Sequence, residues 1–146
     1  MTKRVEAVHR FDVPVDRGFA FITDTGNWSS FWPRFVRLED GARWREPGDT
    51  ARLVTRLLGR ERELVMTLRS FERNRLVTYT SRQPGLPDAQ HERHFEGDED
   101  GFRYRLVVEY EPRGGVAGLV DRTLLPRAIR RALESTITAL DEALAS

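Results

Sequence analysis

Past Gly114-Gly115 the apolar residues of this chain change their spacing. Ile129, Leu133, Ile137, Leu140 and Leu144 recur every three or four positions, which is one face of a helix. Arg127, Arg130, Arg131, Glu134, Asp141 and Glu142 take its wet side. Pro126 either kinks a helix that begins near Val116 or opens the main helix at its first turn. From Phe35 to Pro112 the spacing is two, which is the period of strands. One amphipathic helix therefore has to serve a whole sheet, and this constrains the fold more than any other feature.

The strands can be placed one by one. Val5, Ala7, His9 and Phe11 alternate with Glu6, Val8, Arg10 and Asp12 in the first. Pro14 and Asp16 then suit the start of a short helix with Val15, Phe19 and Ile22 on one face, stopped by Gly26-Asn27. Trp28 to Pro33 reads as a second short aromatic helix or turn. Six strands follow, carrying Phe35 and Leu38; Ala51, Leu53, Thr55 and Leu57; Leu64, Met66 and Leu68; Val77, Tyr79 and Ser81; a stretch running to Phe95; and Phe102, Tyr104, Leu106, Val108 and Tyr110. Turns at Pro47-Gly48-Asp49, Gly59-Arg60, Arg73-Asn74-Arg75, Gln83 to Asp88 and Gly97 to Gly101 separate them. Consecutive hairpins make an antiparallel sheet. One helical stripe cannot cover a flat sheet of seven strands, so the sheet must curl around the helix or leave its apolar face wet. The predicted fold is α+β, a helix-grip arrangement: a curved seven-stranded antiparallel sheet wrapped around a long C-terminal helix, with two short helices after the first strand. Residues 1–146 are expected to form one domain. A sheet curled in this way leaves space for a cavity.

The composition removes several function classes. Basic and acidic side chains number 24 and 23, a formal charge of +1, which argues against a nucleic-acid footprint. No cysteine is present, so disulfides and thiolate metal sites are excluded. Met1 to Glu6 has no apolar signal core, and no run approaches the roughly 20 apolar residues of a membrane helix. A cytoplasmic protein without a membrane span is expected. The histidines lack the His-Glu-x-x-His spacing, and Asp98-Glu99-Asp100 reads as a solvated hairpin tip rather than a calcium loop. There is no nucleophile elbow, phosphate-binding loop or dinucleotide glycine pattern, so no metal and no cofactor is expected.

Val5-Glu6-Ala7-Val8-His9-Arg10-Phe11-Asp12-Val13-Pro14 leading into Phe19-Ala20-Phe21-Ile22-Thr23-Asp24, then Asn27-Trp28 and Trp32-Pro33, then Phe95-Glu96-Gly97, and finally Val108-Glu109-Tyr110-Glu111-Pro112 form an ordered series. In that order and spacing the chain resembles the START/Bet v 1-like (SRPBCC) superfamily, and within it the bacterial polyketide cyclase/dehydrase-type branch. The resemblance covers essentially the whole chain. It implies a cavity between the concave sheet and the last helix, with Trp28, Phe31 and Trp32 beside its entrance, as an aromatic gate or as a plug. The family includes lipid carriers, hormone-binding proteins, aromatase/cyclases and proteins that act on protein partners, so the fold leaves function open.

His9 is either a polar group in the cavity or a hydrogen-bonded core histidine. His91 and Arg93 share a strand face with Phe95 and either reach the cavity or sit solvated at its rim, while His94 belongs to the opposite face. A buried arginine there needs an anionic partner, from the protein or from a ligand. Tyr79, Tyr104 and Tyr110 occupy inward positions, as packing rings or as rings with a hydroxyl for a ligand. Trp44 stands in a polar stretch and receives no role. The expected function is binding of a hydrophobic or aromatic small molecule, lipid- or polyketide-like. Recognition falls to Tyr79, Arg93, Tyr104 and Tyr110, and apolar contact to Trp28, Trp32, Phe95, Leu106, Ile129 and Leu133. The alternative is an aromatase/cyclase-like enzyme drawing acid, base and oxyanion groups from His9, His91, Arg93 and Tyr104. A third reading is a protein-interaction module that uses Arg127, Arg130 and Arg131. The protein is expected to be a monomer or a homodimer.

Overall fold

The structure, a computed structural model, describes residues 1–57 and 59–145. The side chain of Leu57, expected on an inner face, lies outside the described residues. Strand β1 (Lys3–Phe11) is followed by helix α1 (Val15–Thr23), a single turn at Thr25–Asn27 and helix α2 (Trp28–Phe31). Strands β2 (Phe35–Asp40), β3 (Thr50–Leu57), β4 (Arg60–Glu72), β5 (Leu76–Arg82), β6 (Ala89–Gly97) and β7 (Phe102–Tyr110) then lead to helix α3 (Gly115–Ala145). The sheet order is β1-β7-β6-β5-β4-β3-β2, and every neighbouring pair is antiparallel. This is the expected seven-stranded helix-grip fold.

The alternation read from the sequence puts one set of side chains on the concave face. Leu64, Met66 and Leu68 of β4, Val77 and Tyr79 of β5, and Phe102, Tyr104, Leu106, Val108 and Tyr110 of β7 are all buried. Register shifts between Leu68 and Ser70 in β4 and within β2 interrupt the ladder, and such bulges bend a strand and raise its twist. Helix α3 packs on β1 and on α2. Leu133, Leu140 and Leu144 supply its buried stripe, with Ile129 and Ile137 half-buried against the same core.

Pro126 does not open the main helix: α3 begins at Gly115 and continues through the proline. Proline cannot donate to the carbonyl one turn earlier, so the first turns of α3 are held from outside the helix as well. Asp121 is fully buried there, and both its oxygens take N–H groups of the Arg113 side chain at 2.9 Å. The backbone N–H of Arg113 also donates to Asp121 Oδ2 at 2.9 Å, and the Tyr110 hydroxyl donates to the Asp121 carbonyl. The contact with Arg113 holds the Asp121 carboxyl below its usual range, against the opposing effect of burial.

Close packing at the α1 end depends on glycine. A Cβ on Gly18 would stand 2.3 Å from the Phe102 ring, so only a residue without a side chain lets the helix approach the sheet there. The hairpin tip between β6 and β7 is more structured than a solvated acidic run. Asp98 Oδ1 accepts the backbone N–H groups of Asp100 and Gly101, and its carboxylate is paired with Arg10, which holds it well below the usual carboxylate range.

Candidate functional site

A cavity of about 370 Å³ lies between the concave sheet and α3. Its space follows from the side chains α3 offers at this level. Ala128, Ala132, Ser135 and Thr136 stand on its wall beside Leu125, Ile129 and Leu133. Small groups facing strands rich in aromatic residues leave volume that nothing fills. All three tryptophans of the chain line it. Trp28 and Trp44 are buried and Trp32 half-buried, with Trp28–Trp32 centroids 5.1 Å apart and Trp28–Trp44 centroids 5.7 Å apart. The Trp28 indole N–H donates to the Ile22 carbonyl at 2.9 Å, which fixes the ring at the end of α1.

Strands β5, β6 and β7 contribute Tyr79, Ser81, His91, Arg93, Tyr104 and Tyr110 to the polar part of the wall. Phe95 is buried, so the alternation of β6 carries His91 and Arg93 inward with it. His91 stacks on Tyr79 across the β5–β6 pairing, with centroids 4.4 Å apart and planes 8° from parallel. Its Nε2 is 2.7 Å from Ser81 Oγ, while Nδ1 is buried with no hydrogen-bond partner among the described residues. Burial first, and the neighbouring guanidinium second, push the imidazole pKa well below its ordinary value, so His91 is neutral at neutral pH. Arg93 Nη2 donates to the Tyr79 hydroxyl at 3.0 Å and Nη1 to the Glu92 carbonyl at 3.3 Å. Burial raises the Tyr79 and Tyr104 hydroxyls above their ordinary pKa, with the charge of Arg93 opposing it in both. Tyr110, also on the wall, is pushed up to about 12 by burial and by the Asp121 charge.

The charged side chains of the wall are all of one sign. Arg34, Arg56, Arg93 and Arg131 line the cavity, and among the described residues no aspartate or glutamate does. Arg56 is tied to Glu61 at 2.9 Å. Arg93 has no carboxylate within ion-pair distance among the described residues.

Most residues singled out from the sequence meet here. Trp28, Trp32, Tyr79, His91, Arg93, Phe95, Tyr104, Tyr110, Ile129 and Leu133 all stand on the wall. Two do not. Leu106 is fully buried but belongs to the packed core, between Ala7 of β1 and Arg93 of β6 in the register, and Tyr104, Val108 and Tyr110 form the wall on its strand. His9 lies outside the cavity. Edge strand β1 runs under the C-terminal half of α3, and His9 Nε2 meets Asp141 Oδ2 there at 2.9 Å. Trp44 is the residue that sequence reasoning missed. Its polar neighbours conceal it, yet tryptophan is highly buried on average, and that alone was a signal. It packs edge-on against Trp28 and Tyr79. Arg131, placed on the wet side of α3, is exposed but reaches the cavity wall. His94 faces the other way, as expected, and lies 2.7 Å from Glu92 Oε1. Among the described residues no group of three metal-type side chains comes together, and no helix is long and apolar enough to cross a membrane.

A curved sheet gripping one helix over an aromatic cavity defines a START/Bet v 1-like (SRPBCC) protein. The chain matches the family described as "Polyketide cyclase / dehydrase and lipid transport" over residues 2–145, and it belongs to that family. Three solved structures show the same fold. The protein TTHA0849 from Thermus thermophilus is 20% identical with a TM-score of 0.81, covering 99% of this chain and 100% of the other. The Zhui aromatase/cyclase from Streptomyces sp. R1128 is 16% identical with a TM-score of 0.84, covering 98% and 93%. Ara h 8.0201 is 15% identical with a TM-score of 0.74, covering 100% of both. Comparison by sequence with curated proteins gives no match.

Proposed function

We propose that the protein binds a hydrophobic or aromatic small molecule in the cavity between the sheet and α3. The observation that carries this reading is the wall itself: three tryptophans, Phe95 and the rings of three tyrosines enclose about 370 Å³, with His91 and Arg93 among its polar groups. Ligand sites are commonly concave, mostly apolar and oriented by a few polar groups. The family's description, which includes lipid transport, supports the same reading.

The test is native mass spectrometry of the purified protein, followed by titration with naphthalene-type probes. A one-to-one apolar adduct is expected or, from an empty protein, saturable quenching of tryptophan fluorescence, since every tryptophan lines the cavity. No adduct and no quenching across a panel of apolar probes would overturn the reading.

A second reading, an aromatase/cyclase-like enzyme, is favoured by one observation: a neutral imidazole, His91, beside the cationic Arg93 on the same wall. A neutral imidazole can accept a proton while a cation stabilises a developing enolate. In this reading His91 is the base, Arg93 holds the oxyanion and Tyr104 orients the substrate. Turnover of a poly-β-keto substrate by the wild type, lost in His91→Ala and in Arg93→Ala, is the expected result. Turnover unchanged in both variants would remove it.

A further inference from the structure

We infer that the ligand carries a planar oxyanion, a carboxylate or an enolised 1,3-dicarbonyl, and that Arg93 is the group that receives it. This inference rests on the proposed reading of the cavity as a small-molecule site, and it adds the chemical class.

Two independent observations carry it. The first is the state of Arg93. Its guanidinium lies among Tyr79, Tyr104 and His91, and each of the three feels its charge. It donates to the Tyr79 hydroxyl and the Glu92 carbonyl and is also hydrogen-bonded to the Tyr104 hydroxyl, and none of these acceptors is an anion. A guanidinium has more N–H groups than those contacts use, and a partly desolvated cation without an anion is a costly arrangement. The second is the sign of the wall. Four arginines and no carboxylate line the cavity among the described residues; Arg34, Arg56 and Arg131 are exposed and Arg56 is paired with Glu61, which leaves Arg93 as the half-buried cation of the wall with no anion facing it. The residues that could neutralise Arg93 from inside are otherwise engaged or uncharged. His91 is neutral, and Tyr79 and Tyr104 are held further into their protonated forms by burial.

The geometry also limits the shape of the anion. Ser81, His91, Tyr79 and Arg93 form a chain of contacts in which the serine holds the imidazole, the imidazole stacks under the phenol ring and the phenol oxygen takes one guanidinium N–H. This fixes the plane of the fork before a ligand arrives. A fixed fork suits two oxygens in one plane. Tyr79 is therefore a positioning residue, and Arg93 is the one that touches the ligand.

The experiment compares ligands of one shape and different charge by isothermal titration: 2-naphthoic acid, 2-naphthamide and a naphthyl 1,3-diketone. Wild type is expected to bind the acid at least about tenfold more tightly than the amide, as befits a charge-assisted hydrogen bond. Arg93→Gln should erase that preference, weakening the acid at least about tenfold more than the amide. Tyr79→Phe keeps the ring on His91 and removes only the hydroxyl, so it should reduce the preference without abolishing it, and it serves if Arg93→Gln does not fold. Equal affinity for acid and amide in the wild type, or a preference that survives in Arg93→Gln, would overturn the inference while leaving the cavity reading intact. Failure of all three compounds to bind would overturn both. Among the anions, tighter binding of the diketone with loss in Arg93→Gln names the enolate as the source, and the reverse order names the carboxylate.

Discussion

The concave face carries two aromatic clusters that differ in what lies opposite them. At the α1 end, Phe11, Phe19, Phe71 and Phe102 form a closed cluster that meets the cavity wall only through Phe95 and Tyr104. Phe19 meets Phe71 and Phe95 at 5.2 and 4.9 Å, and Phe11 meets Phe102 at 5.3 Å. At the other end, Trp28, Trp32, Trp44, Tyr79 and His91 are linked in a row and all stand on the cavity wall. Helix α1 approaches the first cluster so closely that no side chain fits between Gly18 and the Phe102 ring. Helix α3 presents alanines, a serine and a threonine to the second. The strands alone therefore do not decide which rings make a core and which make a pocket. The size of the side chains on the covering helix decides it.

This contrast can be broken at either end. The largest effect is expected from Phe102→Ala, which removes a fully buried ring from the closed cluster and should cost about 3–5 kcal/mol. Urea denaturation measures it, and affinity for a cavity ligand should stay within about twofold when corrected for the folded fraction. Gly18→Ala should follow, at about 1–3 kcal/mol, because the new methyl meets an aromatic ring packed on its far side. A neutral result there would mean that α1 can slide, and that the contact with Phe102 does not require a glycine.

A smaller effect comes from pH, through His91. Its folded pKa lies well below the ordinary 6.5, so between the two values the unfolded chain binds a proton that the folded chain refuses. Stability is then fully present above about pH 6.5 and declines as pH falls towards the folded value. Thermal unfolding between pH 7.5 and 5 should show this slope, and His91→Gln should flatten it. The carboxylate of Asp98, depressed by Arg10, loses its contribution only as pH falls below its ordinary 3.8, outside that range. The smallest effect on stability is expected from Ala132→Phe, which fills empty space and should change it by less than about 1 kcal/mol. Binding of naphthalene-type probes should be lost. Retained binding would show that the cavity is not the site.

The sheet, its inward faces and the long helix are legible in the sequence, because each rests on a period that survives along a whole element. The same holds for His91 and Arg93, which share a face with Phe95, since a strand that buries one residue turns its alternate neighbours the same way. What the sequence conceals depends on contacts between elements. His9 has the right parity but lies on an edge strand, where it finds Asp141 rather than the cavity. Leu106 is inward yet packed in the core, while Tyr104, Val108 and Tyr110 of the same strand face form the wall. Trp44 has no period at all, because it lies between β2 and β3, and only Trp28 and Tyr79 reveal its place. The Ser81–His91 contact joins two strands through a register that the sequence does not specify.

The order of strands in the sheet also sets an order in time. Each strand from β2 to β7 pairs with its neighbour in the chain through a short connection, whereas β1 pairs with β7, Lys3 opposite Tyr110. Local hairpins close quickly, and a pairing across most of the chain must wait for them, since its loop-closure entropy is the largest. Helix α3 packs on that same β1, so the first-made strand and the last-made helix find each other only at the end. Until then the tryptophans of the pocket have no roof, and a nascent chain presents them to whatever is nearby. Folding is expected to be slow for a domain of this size, with burial of tryptophan fluorescence coinciding with the docking of the two chain ends.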